Sequence, residues 1–278
     1  MYLVATPIGN ASDITLRALD VLARADALAA EDTRQTQKLM EIHGIDRAGR
    51  RIVSYHDQNG AERRPQILGW LGEGKSVAYA SDAGTPLIAD PGYRLVEAAR
   101  EAGHDIHAIP GASAVVTALM LAGLPTDRFL FAGFLPVKSA ARRRELTDLA
   151  SLRATLVFFE SPRRLAECLA DMATVLGETR IAVMARELTK TFEEIRRARL
   201  SDLAADLASA APPRGEVVLL IGPPDAEAVA EDARAALDTH LTDALATQSV
   251  KEAARTVATR LSLPKREVYA RALELTRK

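Results

Sequence analysis

Residues 1–111 alternate between short apolar runs and segments whose apolar residues recur every three or four positions. The runs predict β-strands, and the periodic segments predict helices. Because the two alternate with short connections, we expect right-handed βαβ units and a mostly parallel sheet in a first domain. The predicted strands are Tyr2–Thr6, Ala27–Ala30, Arg51–Tyr55, Ser76–Ser81 and Asp105–Ile109, and the predicted helices are Asp13–Ala25, Thr33–His43, Gly60–Leu71 and Tyr93–Ala102.

Residues 112–223 contain strand and helix patterns in a different order. After a helix at Ala114–Leu121, two predicted strands follow each other without a helix between them, so we expect a mixed sheet in a second domain. Ser161 and Pro162 suit the cap and the first position of a helix, which predicts a helix start there. The predicted strands are Arg128–Ala132, Thr155–Phe159, Arg180–Ala185, Phe192–Ala198 and Glu216–Ile221.

Residues 224–278 carry helical patterns only. Ser249 and Glu252 have the spacing of a capping box, which predicts a helix start. A break at Ser262–Pro264 and a second helix at Lys265–Leu275 complete a helix-turn-helix outline. This outline fits either contact with nucleic acid or a plain helical hairpin packed on the body, and the sequence leaves both open.

Composition narrows the class of protein. The 278-residue chain has a formal net charge of −1, so any nucleic-acid surface must be local. Cys168 is the single cysteine, which excludes an internal disulfide and a multi-cysteine metal site, and we expect it to be a small buried side chain. The histidines lack metal-ligand spacing, so we expect no structural metal. Without a signal pattern or a membrane-length apolar run, the sequence predicts a cytoplasmic protein with no membrane partner.

Gly69–Ser76 reads GWLGEGKS and matches the letters of a phosphate-binding loop. Such a loop follows a strand and opens a helix, so that amide groups and the helix dipole face the phosphate. Here a predicted helix precedes the segment and a predicted strand follows it. We therefore interpret the glycines as a turn and expect no nucleoside triphosphate at this segment.

Three loops follow predicted strands of the first domain and are rich in glycine and proline. They are Thr6–Asn10, Ser81–Gly92 and Pro110–Ser113. Open α/β sheets bind ligands at the carboxyl ends of their strands, where all three loops lie. Ser81–Gly92 also carries Asp82 and Asp90 and is longer than a turn requires, so we expect it to be the centre of a ligand-binding site.

Several motifs together resemble the ribosomal RNA small subunit methyltransferase I family, a branch of the tetrapyrrole methylase superfamily. The resemblance covers essentially all of residues 1–222, and the C-terminal helices resemble the helix-turn-helix extension of the family. The motifs are TPIGN (Thr6–Asn10), AEDTR (Ala30–Arg34), SDAGTPLIADPGY (Ser81–Tyr93), IPGASA (Ile109–Ala114), GLPTDRFLFAGFLP (Gly123–Pro136), FESP (Phe159–Pro162), ARELTK (Ala185–Lys190) and PRGE (Pro213–Glu216).

The resemblance implies two α/β lobes, with the cofactor S-adenosylmethionine in the cleft between them. It implies 2′-O-methylation of a cytidine ribose in the decoding region of 16S rRNA, with the rRNA in the small ribosomal subunit as partner and a homodimer as the assembly. One departure is visible, because the family usually reads ESPHR where this chain has Arg163, so a proton-transfer role for that histidine does not carry over. The alternatives are C-methylation of a tetrapyrrole and a non-catalytic protein that binds RNA or the ribosome.

Loop position and the resemblance together predict the residues that contact the cofactor. In the first domain, residues of the first loop shape that loop, residues of the second loop hold the methionyl part of the cofactor, and residues of the third loop flank the methionyl part. In the second domain they close over the adenine and the ribose. The predicted residues are Pro7, Gly9, Ser81, Asp82, Ala83, Gly84, Thr85, Pro110, Gly111 and Ser113, followed by Phe159, Glu160, Ser161, Met184, Ala185, Arg186, Pro213, Gly215, Glu216 and Val217.

A ribose hydroxyl is a poor nucleophile while it is protonated, so a base or a strong hydrogen-bond acceptor favours the transfer. The carboxylates predicted to lie near the cleft are Asp32, Asp82, Glu160 and Glu187. Asp32 and Glu187 have neighbouring arginines that fit an ion pair instead, and Asp82 fits a role in helix capping or cofactor orientation. The sequence favours none of the four, because geometry decides which carboxylate reaches the hydroxyl.

RNA contact is predicted where basic residues cluster. Between Arg128 and Arg164 there are eight basic and three acidic residues, and three consecutive arginines follow the stretch Pro136–Ala141, which we expect to be flexible. The alternative is an ordinary solvated helix face. The predicted RNA-binding residues are Arg34, Arg142, Arg143, Arg144, Arg163 and Arg164.

Overall fold

The computed structural model describes residues 1–89, 91–225, 236–261 and 263–276. They form two α/β domains, each with a five-stranded sheet, followed by C-terminal helices. The predicted fold class is confirmed. Asp90 of the predicted binding loop and Ser262 of the predicted break lie outside the described residues, as do parts of the extension 224–278. The predicted boundaries after residues 111 and 223 stay predictions.

The first domain is a parallel sheet with helices on both faces. The strands are β1 (Tyr2–Val4), β2 (Ala27–Ala30), β3 (Arg51–Ser54), β4 (Val77–Ala80) and β5 (His107–Ile109), and the helices are α1 (Leu16–Arg24), α2 (Thr33–Ile42), α3 (Gly60–Gly72) and α4 (Tyr93–Glu101). The strand order is β3-β2-β4-β1-β5, with every pairing parallel. Strand β4 is buried along its whole length, as expected of a sheet covered on both faces.

The second domain has a mixed sheet, as predicted. Its strands are β6 (Phe129–Phe134), β7 (Thr155–Glu160), β8 (Ile181–Arg186), β9 (Glu194–Arg199) and β10 (Val217–Ile221), and its helices are α5 (Ala114–Ala122), α6 (Ser139–Leu149), α7 (Leu165–Leu176) and α8 (Leu200–Ser209). The order is β6-β7-β10-β8-β9, in which β6 and β7 are parallel and the other neighbours are antiparallel.

Two local predictions for the second domain are wrong. The stretch Pro136–Ala141 is not a flexible connection, because α6 begins at Ser139 and a buried ion pair holds it. The helix predicted to start at Ser161 starts at Leu165 instead. Residues 161–164 form a turn, in which the Arg164 amide donates to the Ser161 carbonyl at 3.0 Å and the Glu160 carboxylate accepts the Ser161 amide hydrogen.

Helix α5 joins the two domains through a shared apolar core. Its residues Val115 and Leu119 pack with Val183 and Leu220 of the second sheet. Ile8, from the first loop of the first domain, belongs to the same cluster. The cleft between the domains therefore has a continuous apolar base rather than a solvent-filled gap.

Among the residues that the structure describes, the helices after the second sheet are α9 (Leu237–Leu245), α10 (Val250–Leu261) and α11 (Lys265–Thr276). The predicted capping box is present, because Ser249 and Glu252 exchange hydrogen bonds at the start of α10. Leu241, Val257 and Val268 lie in an apolar core whose described members come from these three helices and from Leu263 between the last two. Within the described part of the chain, no helix is long and apolar enough to cross a membrane.

A candidate ligand-binding cleft between the domains

Hydrogen bonds tie the three glycine- and proline-rich loops of the first domain together. Thr6 and Gly84 exchange backbone hydrogen bonds of 3.0 Å in both directions. The Ser81 hydroxyl donates to the Gly84 carbonyl at 2.8 Å, and the Thr85 hydroxyl donates to the Ala112 carbonyl at 3.0 Å. The loops therefore form one rigid floor, and the hydroxyl of Ser81 is used to hold this floor.

The loop Ser81–Gly92 contains strained backbone. Leu87 and Ala89 have φ values of 73° and 55°, in the left-handed region that side chains disfavour. Gly92 has a φ of 120°, and a Cβ there would lie 2.8 Å from the Tyr79 ring. Such strain persists only where surrounding contacts enforce it, and it concentrates at functional sites.

The first loop docks on the second domain through Gly9. A Cβ at Gly9 would lie 2.5 Å from Lys190 Cγ and 2.6 Å from Thr189 Oγ1, so glycine is required for this approach. The Asn10 amide donates to Thr189 Oγ1 at 3.0 Å. The TPIGN and ARELTK motifs, which are far apart in the sequence, therefore meet at the back of the cleft.

A largely apolar cavity of about 340 Å³ lies between the domains, over this floor. A cavity of this size and lining suits a small organic ligand. Ten of the predicted cofactor contacts line it, namely Ala83, Gly84, Thr85, Ser113, Phe159, Glu160, Ser161, Gly215, Glu216 and Val217. The sequence reasoning missed Ile8, Ile88, Ala114, Val115, Phe134, Pro162 and Val218, most of which are direct neighbours of predicted residues.

Other predicted cofactor contacts do not line the cavity. Met184 and Ala185 are buried in the second domain, and Arg186 pairs with Glu194 and with the Arg214 carbonyl. Met184 and Ala185 lie on opposite faces of β8, each inside one of the two apolar cores that pack against the second sheet. Pro110, Gly111 and Pro213 also lie outside the cavity lining, whereas Pro7, Gly9, Ser81 and Asp82 line a neighbouring hollow.

Glu160 lies at the end of β7 and lines the cavity with its side chain only 1% exposed. Its Oε1 accepts the Ser161 amide hydrogen at 2.7 Å, and the Arg164 guanidinium lies 3.4 Å from Oε2. Oε2 has no hydrogen-bond partner among the described residues. A buried, unsatisfied acceptor in a cavity wall is a place where a ligand can supply the missing donor.

Asp82 lines two hollows, one of which shares Ile8, Ala83 and Glu216 with the cavity. Its neighbour Ala83 lines the cavity. Desolvation raises the pKa of Asp82, and the nearby carboxylates Glu31 and Asp32 raise it further, against the opposing hydrogen bond from the Asp32 amide. A carboxylate with a raised pKa is the better proton acceptor of its kind.

The other two candidate bases are engaged in ion pairs. Asp32 caps α2 and pairs with the largely exposed Arg34 at 2.6 Å, and hydrogen bonds from Arg34 lower the pKa of Asp32 to about 2. Glu187 binds Lys190 at 2.7 Å and accepts the Glu216 amide hydrogen at 3.0 Å. The hydrogen bond from Lys190 lowers the pKa of Glu187. Both carboxylates are weakened as bases by the contacts that hold the loops.

The three consecutive arginines are not equivalent. Arg142 is 1% exposed and pairs with Asp171 of α7 at 2.6 Å, so the prediction that Arg142 contacts RNA is wrong. Arg143 binds the same carboxylate from a half-exposed position, while Arg144 is exposed. An amphipathic helix must bury one residue in each turn, and here the buried position carries a charge that Asp171 neutralises.

Arg164 also has an internal role. Its guanidinium donates to the carbonyls of Leu135 and Pro136, at 2.7 and 3.1 Å, beside its ion pair with Glu160. Arg163 and Arg34 are exposed and stay predicted RNA contacts, as do Arg143 and Arg144.

The segment Gly69–Ser76 joins a helix to a strand, as the order of elements predicts, and the turn itself is residues 73–76. Helix α3 ends at Gly72 and β4 begins at Val77. Lys75 pairs with Glu73, and the Ser76 hydroxyl donates to Asp26 at 2.6 Å.

Solved structures with a similar fold include methyltransferases. A cobalt precorrin-4 methyltransferase aligns with a TM-score of 0.61 at 21% identity, over 80% of this chain and 93% of that one. A diphthine synthase aligns with a TM-score of 0.62 at 18% identity, over 80% and 89%. Residues 1–204 match the family of tetrapyrrole (corrin/porphyrin) methylases. The fold and its interdomain cavity therefore define a protein of the tetrapyrrole methylase class.

Sequence relatives narrow the class. A protein of Mesorhizobium japonicum called ribosomal RNA small subunit methyltransferase I is 50% identical over 99% of this chain and 92% of its own length. A protein of that name from Pseudomonas aeruginosa is 42% identical over 99% and 96%. Residues 230–276 match the RsmI C-terminal HTH domain. The chain belongs to the ribosomal RNA small subunit methyltransferase I family.

Proposed function

We propose that the protein transfers a methyl group from S-adenosylmethionine to the 2′-hydroxyl of a cytidine ribose in the decoding region of 16S rRNA. The observation that carries the proposal is the sequence identity of 50% and 42%, over 99% of this chain, to two relatives named small subunit rRNA methyltransferases. The ribose oxygen, the cytidine and the decoding region follow from the resemblance of the motifs. We also propose the small ribosomal subunit as partner, a homodimer as the assembly and the cytoplasm as location.

The cavity residues fit S-adenosylmethionine. The edge-to-face pairs of Phe159 with Phe131 and Phe134 form an aromatic wall that suits an adenine ring. The unsatisfied Oε2 of Glu160 suits a ribose hydroxyl or an ammonium group, both of which donate hydrogen bonds. The tied backbone around Gly84 and Thr85 suits the methionyl end. When bound, S-adenosylmethionine supplies a methyl group activated by its positive sulfur.

The chain contributes to catalysis mainly by positioning. The hydrogen-bonded loops and the docked Gly9 hold the floor of the cavity at a fixed distance from the second domain, so that donor and acceptor can meet in line. The apolar lining excludes water from the reacting centre.

Asp82 is the proposed proton acceptor. It lines the hollow next to the cavity, beside the cavity residue Ala83, and desolvation raises its pKa, whereas Asp32 and Glu187 are held in ion pairs and Glu160 is enclosed. A carboxylate in this position accepts the proton of the 2′-hydroxyl as the oxygen attacks the methyl carbon. Among the four predicted carboxylates, this geometry favours Asp82.

The direct test incubates the protein with S-adenosylmethionine labelled in its methyl group. The acceptors are small subunits that lack the modification, naked 16S rRNA and a tetrapyrrole precursor, in parallel. The proposal predicts label on RNA, recovered as 2′-O-methylcytidine after digestion to nucleosides. Label on the tetrapyrrole would support the rival C-methyltransferase, whereas failure to bind the cofactor would support a non-catalytic RNA-binding protein.

A further inference from the structure

A polar hollow of about 440 Å³ adjoins the cleft cavity beside α2. Ile8, Ala83 and Glu216 line both spaces, so the two share a wall. An enzyme that transfers a group between two molecules needs two adjacent sites. The hollow has the place that an acceptor requires relative to a donor in the cavity.

One face of α2 forms a wall of the hollow. Gln35, Lys38, Leu39 and Ile42 line it, at spacings that put them on the same side of a helix. Ile42 is 56% exposed, although it is a large apolar residue at the end of the helix. The face therefore combines a cation with apolar surface, which matches a nucleotide made of a phosphate and a flat, partly apolar base and sugar.

Lys38 carries a charge that the described residues do not neutralise. The structure describes no hydrogen bond or ion pair between its ammonium group and another side chain, and it is exposed on the rim. By contrast, Lys190 on the opposite side pairs with Glu187 and Glu216. Lys38 is available to a phosphate, whereas Lys190 holds the loops.

Thr36 provides an independent observation. It lines the hollow, is 2% exposed, and its buried hydroxyl has no hydrogen-bond partner among the described residues. A threonine inside a helix ordinarily donates to a carbonyl of the preceding turn. An unpartnered buried hydroxyl costs stability, so its presence is explained by a ligand that completes the bond.

We propose that this hollow is the subsite for the acceptor nucleotide of an RNA strand. This inference rests on the proposed function and names its substrate subsite. Lys38 contacts a phosphate of the strand, Leu39 and Ile42 pack against the nucleoside, and Thr36 hydrogen-bonds to it. The nucleotide must leave the stacked strand to enter, as in other enzymes that modify single nucleotides. Asp82, which lines the hollow beside the shared residue Ala83, then faces the ribose.

The test compares variants of the full chain on small subunits that lack the modification. Thr36→Val is nearly isosteric and removes an unsatisfied polar group, so it is expected to keep or raise the melting temperature while raising KM for the subunit several-fold. Lys38→Glu is expected to raise KM about tenfold and to reduce the salt dependence of binding by about one counterion. Neither variant should change the dissociation constant of S-adenosylmethionine.

Arg100→Glu is the matched control. Arg100 is exposed in the last turn of α4, at the opposite end of that helix from the loop Ser81–Gly92, and its replacement changes the net charge by as much as Lys38→Glu. It should leave KM and the salt dependence unchanged. If Lys38→Glu and Thr36→Val match wild type on an enzyme that methylates the subunit, the subsite is wrong and the proposed function stands. If the wild-type protein binds the cofactor but methylates no RNA, the acceptor subsite and the proposed function are both wrong.

Discussion

The two domains hold the walls of the cleft by different means. In the first domain, backbone hydrogen bonds between Thr6 and Gly84 and hydroxyl-to-carbonyl bonds tie the loops together. In the second domain, charged side chains do this, as in the pairs Glu160–Arg164 and Glu187–Lys190. Backbone ties depend on glycine and on local geometry, whereas ion pairs depend on two side chains staying charged. The two sides should therefore respond differently to substitution and to pH.

The largest expected effect is a loss of kcat that occurs when a carboxylate of the first domain is replaced but not when one of the second domain is. Asp82→Asn should lower kcat by about 10²–10⁴-fold, because it removes the proposed proton acceptor and keeps the shape. The acidic limb of the kcat profile should also disappear; in wild type it should lie above the ordinary carboxylate range, because burial raises the pKa of Asp82. Single-turnover methylation measured from pH 4 to pH 8 provides both results.

Glu187→Gln is the matched control in the second domain. It removes a charge but not the proposed base, so kcat should change less than about tenfold. An equal loss in the two variants would show that the role of Asp82 is structural.

Breaking the buried ion pair of the second domain should have the next largest effect. Asp171→Ala leaves Arg142 buried without its partner, which is expected to lower the free energy of unfolding by about 3–5 kcal/mol. Urea denaturation measures the loss. Asp148→Ala, on the exposed side of α6, should change it by less than about 0.5 kcal/mol. A small effect at Asp171 would show that this pair is dispensable.

A backbone change in the first domain should lower the free energy of unfolding less than Asp171→Ala does, but it should weaken cofactor binding more. Gly9→Ala forces a Cβ against Lys190 and Thr189, so the loop must move. We expect a loss of about 1–3 kcal/mol in unfolding free energy and weaker binding of S-adenosylmethionine, measured by calorimetry. Gly69→Ala is the control, because a Cβ there meets nothing within 4 Å and alanine favours the helix. Unchanged cofactor binding in Gly9→Ala would contradict the docking role.

The smallest expected effect concerns Asp32. Its pKa is lowered to about 2 in the folded protein by hydrogen bonds from Arg34, so its charge stabilises the fold above the ordinary carboxylate pKa. That stabilisation is lost as the pH falls from about 4 through about 2. Asp32→Asn keeps the cap but not the charge, so its urea midpoint should lie below that of wild type at pH 6 and approach it near pH 3. A constant difference would contradict this assignment.

The sequence predicted the parallel sheet and the first-domain loops because both depend on local patterns. Short apolar runs predicted every strand of both described sheets, and the glycines and prolines of Ser81–Gly92 drew attention to a loop that lines the cavity. The burial of Arg142 could not be predicted, because its partner Asp171 lies 29 residues away on another helix. For the same reason the docking of Gly9 on Lys190 has no local pattern to reveal it.

The central claim is that the cavity between the domains holds S-adenosylmethionine. A crystal structure of the protein with S-adenosylhomocysteine tests it directly. We expect the ligand between Gly84 and Phe159, with one of its donors hydrogen-bonded to Glu160 Oε2, which has no hydrogen-bond partner among the described residues. An empty cavity at saturating ligand, or a ligand bound elsewhere on the chain, would contradict it.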